Sequence, residues 1–82
     1  MTLTPEAQRA ARGLLSWGVR DLAAASGVAW TTVSQFENGR PMREATAAKI
    51  IAAFEAEGVD LVGDAERTGA VLTIARRKPR HG

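Results

Sequence analysis

The chain predicts a mainly all-α fold, a bundle of about four helices followed by a short C-terminal β-hairpin, on three observations. Apolar residues recur at helical spacing in four separate stretches. Gly27, Gly39 and Gly58 each follow one of those stretches, where the residue just past a helix end takes a left-handed conformation. Beyond Gly58 the pattern changes, and "VDLV" and "AVLTIA" flank the turn-rich "GDAERTG". A chain of 82 residues has room for one core, and much of its apolar share is alanine, which favours close helix packing.

Each element has its own local signal. In "LTPEAQ", Thr4 suits an N-cap, Pro5 the first helical position and Glu6 the positive end of the helix dipole. Ala7, Ala11, Leu14 and Leu15 then form one apolar stripe, and this helix should finish near Ser16–Gly18. A second, short helix is expected from about Val19 to Ser26, with Leu22 and Ala23 inward and Gly27 as its stop. The third runs from about Ala29 to Asn38 with Val33 and Phe36 inward, and Gly39 ends it. After Pro41, "REATAAKIIAAFEAEG" reads as a long helix burying Ala47, Ile50, Ile51 and Phe54. Gly58 closes it, with Phe54 and Val59 at the two positions that touch in a Schellman ending. In the hairpin, Leu61, Leu72 and Ile74 are placed to pack on the helices or on a second chain, because an isolated hairpin is marginal. The domain plan is therefore a bundle over 1–58, a hairpin and candidate dimerisation element over 59–75, and a basic tail over 76–82.

Composition narrows the function classes. There is no cysteine, which removes disulfides, thiol nucleophiles and cysteine-ligated metals, and fits a reducing cytoplasm. No apolar run could span a membrane, and "MTLTPEAQRAARG" lacks a signal-peptide core, so a cytoplasmic location is expected. The one histidine, His81, sits in the tail "RRKPRHG", and no paired carboxylates or phosphate loop offer a catalytic constellation. The expectation is no enzyme, no cofactor, no metal and no small-molecule ligand. Glu55, Glu57, Asp60, Asp64 and Glu66 crowd one region, but their spacing does not match a calcium loop and a solvated face explains them better. Net charge is only +2, yet four of the last seven residues are basic, which attracts polyanions without specificity or simply solvates a terminus.

The most specific signal lies within residues 20–36. Ala23, Gly27, Val28 and Val33 fall at offsets 0, 4, 5 and 10, bracketed by Leu22 and Phe36. Two helices crossing steeply through a short turn need a small residue where the second passes over the first, a glycine to reverse the chain and an apolar plug in the turn. They also need an apolar inner face on the second helix, which Val33 and Phe36 supply. With these residues in place, "LLSWGVRDLAAASGVAWTTVSQFENGR" followed by "EATAAKIIAAFEAEGVDLV" resembles the XRE, lambda-repressor-like helix-turn-helix regulators. It is most similar to short bacterial members that end in a small β element. "DLA…SGV…TVSQFENGR" carries the specificity of the match, and the resemblance covers about residues 5–75.

That resemblance implies a lambda-repressor-like bundle that binds double-stranded operator DNA, commonly as a homodimer, in the nucleoid of a bacterial cytoplasm. The helix at about 29–38 would lie in the major groove, with Trp30, Thr31, Ser34 and Gln35 meeting base edges. Gln35 suits a bidentate pair with adenine, and Trp30 could press on a thymine methyl or pack against a neighbouring helix or subunit. Arg20, Thr32, Asn38 (by side chain or backbone amide), Arg40 and Arg43 occupy positions that reach phosphates. Arg12 and Glu37 match an architectural pair tying the first helix to the motif, and Ala23, Gly27 and Val33 are structural. The chain departs from the family twice. Gly18 and Val19 stand where a capping Ser or Thr and a Gln are usual, with Arg20 replacing the charge one residue later. Ala29 stands where a Ser or Thr normally caps the recognition helix.

A second function fits the same scaffold: a protein-interaction module, antitoxin-like or an adaptor, whose apolar "AVLTIA" strand pairs with another chain. The two are compatible, since a strand-mediated homodimer would present two recognition helices at operator spacing.

Overall fold

The computed structural model describes residues 3–63 and 70–73, with 60–63 and 70–73 described by their backbone alone. Four helices make up the described bundle: α1 (Pro5–Leu15), α2 (Val19–Ser26), α3 (Trp30–Glu37) and α4 (Glu44–Ala56). α1 starts as its sequence dictates. The Ala7 amide donates to Thr4 Oγ1 at 3.1 Å, and Pro5 takes the first position, where a missing N–H loses nothing. α2 has no side chain at its cap, Gly18, but Asp21 compensates by accepting the Gly18 amide at 2.8 Å. Half of a capping box thus survives without the Ser or Thr.

Three helix ends share one solution. At α4 the Val59 amide donates to the Phe54 carbonyl and the Gly58 amide to that of Glu55, the Schellman pattern expected there. Phe54 and Val59 are both buried. α3 ends alike, with the Arg40 amide on Gln35 and the Gly39 amide on Phe36, and Gly39 at φ 99°. α1 ends by the same two bonds, Trp17 to Arg12 and Ser16 to Gly13, but its left-handed residue is Ser16, at φ 57°. A non-glycine residue there is strained, so α1 stops at Leu15 at some cost.

The core joins Leu3, Ala7, Ala11 and Leu15 to Leu22, Val28, Val33 and Phe36, and closes with Ile50, Ala53, Phe54 and Val59. Trp17, in the α1–α2 connection, stacks on Phe54 with ring centroids 5.9 Å apart. Two expectations need correction. Leu14 is exposed, because the buried stripe of α1 is centred nearer Leu15 and Gln8, and at 100° per residue this leaves Leu14 at its edge. In α4, Ala53 replaces Ala47 and Ile51 as a fully covered position, and those two are only partly buried.

Beyond α4 the backbone of Asp60–Gly63 (β1) pairs antiparallel with Ala70–Thr73 (β2), Leu61 opposite Leu72. The turn expected between them, the packing of Leu61, Leu72 and Ile74, and the tail at 76–82 lie outside the described residues. No helix among the described residues is long and apolar enough to cross a membrane.

Candidate nucleic-acid interface

α2 and α3 are joined by residues 27–29 alone. Gly27, at φ 77°, supplies the reversal, and Val28 is buried beneath it. The Val28 amide donates to Ser26 Oγ, which in turn donates to the Leu22 carbonyl, so a single serine ties both sides of the turn. α3 is eight residues long, too short to persist alone, and has no side-chain cap at Ala29. Its inner side holds it in place. Val33 and Phe36 are buried in the core, and Ala23, which sequence spacing places under the crossing, packs against the same cluster.

The outer side of α3 is open. Trp30 is 45% exposed, Thr31 and Gln35 are exposed, and Thr32 and Ser34 are half-buried. At its far end Asn38, Arg40 and Arg43 are all exposed. One assignment narrows here. The Asn38 amide donates to the carbonyls of Ser34 and Gln35, so only the side chain of Asn38 is available to a ligand. Arg43 is the N-cap residue of α4 and contributes no side-chain cap, which leaves its guanidinium outside the helix's own bonding.

Arg20 and Trp30 are brought together. The Arg20 guanidinium carbon lies 4.6 Å from the Trp30 ring centroid, over the ring. Arg20 is the second residue of α2 and Trp30 the first of α3, so their side chains bridge the first turns of the two helices. The Arg20 guanidinium, paired with no carboxylate among the described residues, thus stands at the positive end of the α2 dipole and reaches the first residue of α3.

The other end of α3 is locked to α1 through Glu37. Arg12 donates twice to its carboxylate, Nε to Oε2 at 2.8 Å and Nη2 to Oε1 at 2.7 Å, and its Nη1 donates to the Trp17 carbonyl. Gln8 Nε2 donates to Glu37 Oε2 at 2.7 Å and to the Val33 carbonyl at 3.2 Å. Arg9 adds a bond to the Glu37 backbone carbonyl and a looser ion pair at 3.7 Å. Burial alone would raise the Glu37 pKa, but hydrogen bonds from Arg12 and Gln8 and the charges of Arg12 and Arg9 outweigh it, so the net direction is down. The Arg12 pKa is raised, chiefly by its hydrogen bonds to Glu37. The Arg12–Glu37 pair was expected from the family resemblance, whereas Gln8 and Arg9 were not. Gln8 was legible in principle, because it lies one turn before Arg12 on the same face. Its Oε1 is buried without a partner among the described residues, which marks the side chain as held by its amide nitrogen.

Comparison with protein-family models, curated proteins and solved structures gave no match. Function therefore has to be argued from the chain's own surface. Among the described residues no group of His, Cys, Asp and Glu is arranged to hold a metal ion. A half-open groove of about 340 Å³ lies between Leu3, Phe36, Met42 and the first turns of α4, and it is mainly apolar.

Proposed function

We propose that this chain is a sequence-specific double-stranded DNA-binding transcriptional regulator with a lambda-repressor-like helix-turn-helix, in which α3 enters the major groove. The observation that carries the reading is the two-sidedness of α3. Val33 and Phe36 are locked into the bundle, while Trp30, Thr31 and Gln35 face solvent in a helix only eight residues long. A short helix with a buried inner side and an outer side of hydroxyls, an amide and an indole has the shape and donor–acceptor chemistry of a groove reader. Arg20, Asn38, Arg40 and Arg43 supply exposed groups around it that suit phosphates.

In this reading Gln35, Thr31 and Ser34 discriminate bases, at about 1–3 kcal/mol for each good contact. The guanidinium groups supply the salt-sensitive part of the affinity. A C-terminal hairpin built on β1 and β2 would join two copies, since a two-stranded sheet leaves an unpaired edge on each strand. The same edge supports the second reading, a module that pairs with a different protein. Selection of bound duplexes from a random pool separates the two. Enrichment of a palindromic sequence is the expected result, and recovery of no sequence above background at low salt would overturn the DNA-binding reading.

A further inference from the structure

The Arg20–Trp30 contact has a role more specific than general basicity, and the argument rests on the DNA-binding reading above. We propose that Trp30 is a positioning residue for Arg20, and that the pair forms a preset clamp for one DNA phosphate where α2 and α3 begin. The guanidinium carbon stands 4.6 Å from the indole centroid. A ring face attracts a cation through its quadrupole yet takes up none of the cation's charge, so the N–H donors of Arg20 stay available to a bidentate oxyanion.

Two further observations bear on Arg20. The arginines of α1 are committed: Arg12 and Arg9 both engage Glu37. Arg20 pairs with no carboxylate among the described residues, and its neighbour Asp21 is turned back onto the Gly18 amide. Arg20 also sits in the first turn of α2, the end of a helix where a cation is disfavoured by the dipole. Helix stability does not explain a cation there, whereas an anionic partner would convert the same placement into an attraction shared with the dipoles of α2 and α3. The exposure of Trp30 follows too. Its ring lies outside the core, and Arg20 occupies one of its two faces. In the clamp the ring serves Arg20, and base discrimination falls to Thr31, Ser34 and Gln35.

The test measures affinity of the intact protein for a duplex recovered by selection and for a random duplex of equal length, across a salt series. The proteins are wild type, Arg20→Ala, Arg20→Lys, Trp30→Ala, Trp30→Phe and the double alanine variant. Arg20→Ala should flatten the dependence of log affinity on log salt by about 0.9 for each copy bound, the loss of one phosphate contact per copy. Trp30→Ala should weaken both duplexes alike, by about two- to fivefold, the scale of an exposed cation–π contact. In the Arg20→Ala background the Trp30 change should have almost no effect. Trp30→Phe, which keeps a ring, should retain most of the affinity, and Arg20→Lys should fall between wild type and alanine. In the free protein, the Arg20 side-chain protons should show an upfield ring-current shift in NMR spectra that Trp30→Ala abolishes. Independent, multiplicative losses from the two alanine variants would overturn the clamp, as would a changed base preference in Trp30→Ala or no ring-current shift in wild type. Should wild type bind neither duplex, the DNA-binding reading falls and the clamp with it, an outcome distinct from binding with uncoupled residues.

Discussion

Replacing Glu37 with alanine removes the acceptor that fastens the last turn of α3 to α1. Four contacts go at once: both bonds from Arg12, one of the two from Gln8, and the ion pair with Arg9. The Arg12 and Glu37 side chains are 17% and 10% exposed, so the pair lies between a surface bridge and a buried one. Surface pairs contribute about 0–1 kcal/mol, and breaking a buried pair by removing one partner costs about 3–5 kcal/mol. Residual solvent at Arg12 puts Glu37→Ala at about 2–4 kcal/mol. At about 4–8 °C per kcal/mol for a domain of this size, Tm should fall by at least about 8 °C. Thermal melts followed by circular dichroism at 222 nm read this directly. A companion variant, Arg12→Met with Glu37→Leu, should lose less than Glu37→Ala alone, because it leaves no charge stranded beside the core. A Tm for Glu37→Ala within about 2 °C of wild type would refute the claim that this pair anchors α3.

The same carboxylate fixes a pH dependence. Its folded pKa lies below the ordinary value of 4.5, so its stabilisation is complete above that pH and is lost as pH falls through the lowered value. Melts between pH 7 and pH 3 should show a steeper loss for wild type than for Glu37→Gln, and equal slopes would contradict the assignment. Ala29→Ser should supply the missing cap at α3, since Ala29 already has extended dihedrals (φ −57°, ψ 139°), and raise stability by about 0.5–2 kcal/mol in urea unfolding. Ser16→Gly should relieve the left-handed strain at the end of α1. It should gain about 0.5 kcal/mol net of glycine's greater unfolded entropy, and a loss of stability would show that Ser16 is not strained.

Helix boundaries were readable because local chemistry decides them. Thr4, Pro5, Gly27, Gly39 and Gly58 act through their own dihedrals and nearby amides, and α2 runs over the residues its sequence marks, Val19–Ser26. The Phe54–Val59 closure was likewise legible, being set within a few residues of one glycine. Features that depend on residues distant in the chain were not. Gln8 looks like a solvated amide until α3 brings Glu37 and the Val33 carbonyl to it, and drawing it inward leaves Leu14 outside. Ser16 carried no sign of a left-handed turn, because the bonds from Trp17 and Ser16 to the end of α1 impose it. Val33 and Phe36, the buried side of α3, could be read from spacing alone. The partnership of Trp30 with Arg20 could not, since it depends on how the starts of two helices meet.

The outer face of α3 is the centre of the account, and repeating the random-duplex selection with Gln35→Ala tests it most directly. The variant should still enrich a palindrome, with preference relaxed at one position in each half-site and the flanking positions unchanged. An unaltered consensus, or equal loss of affinity for selected and random duplexes, would contradict the assignment of Gln35 to base recognition.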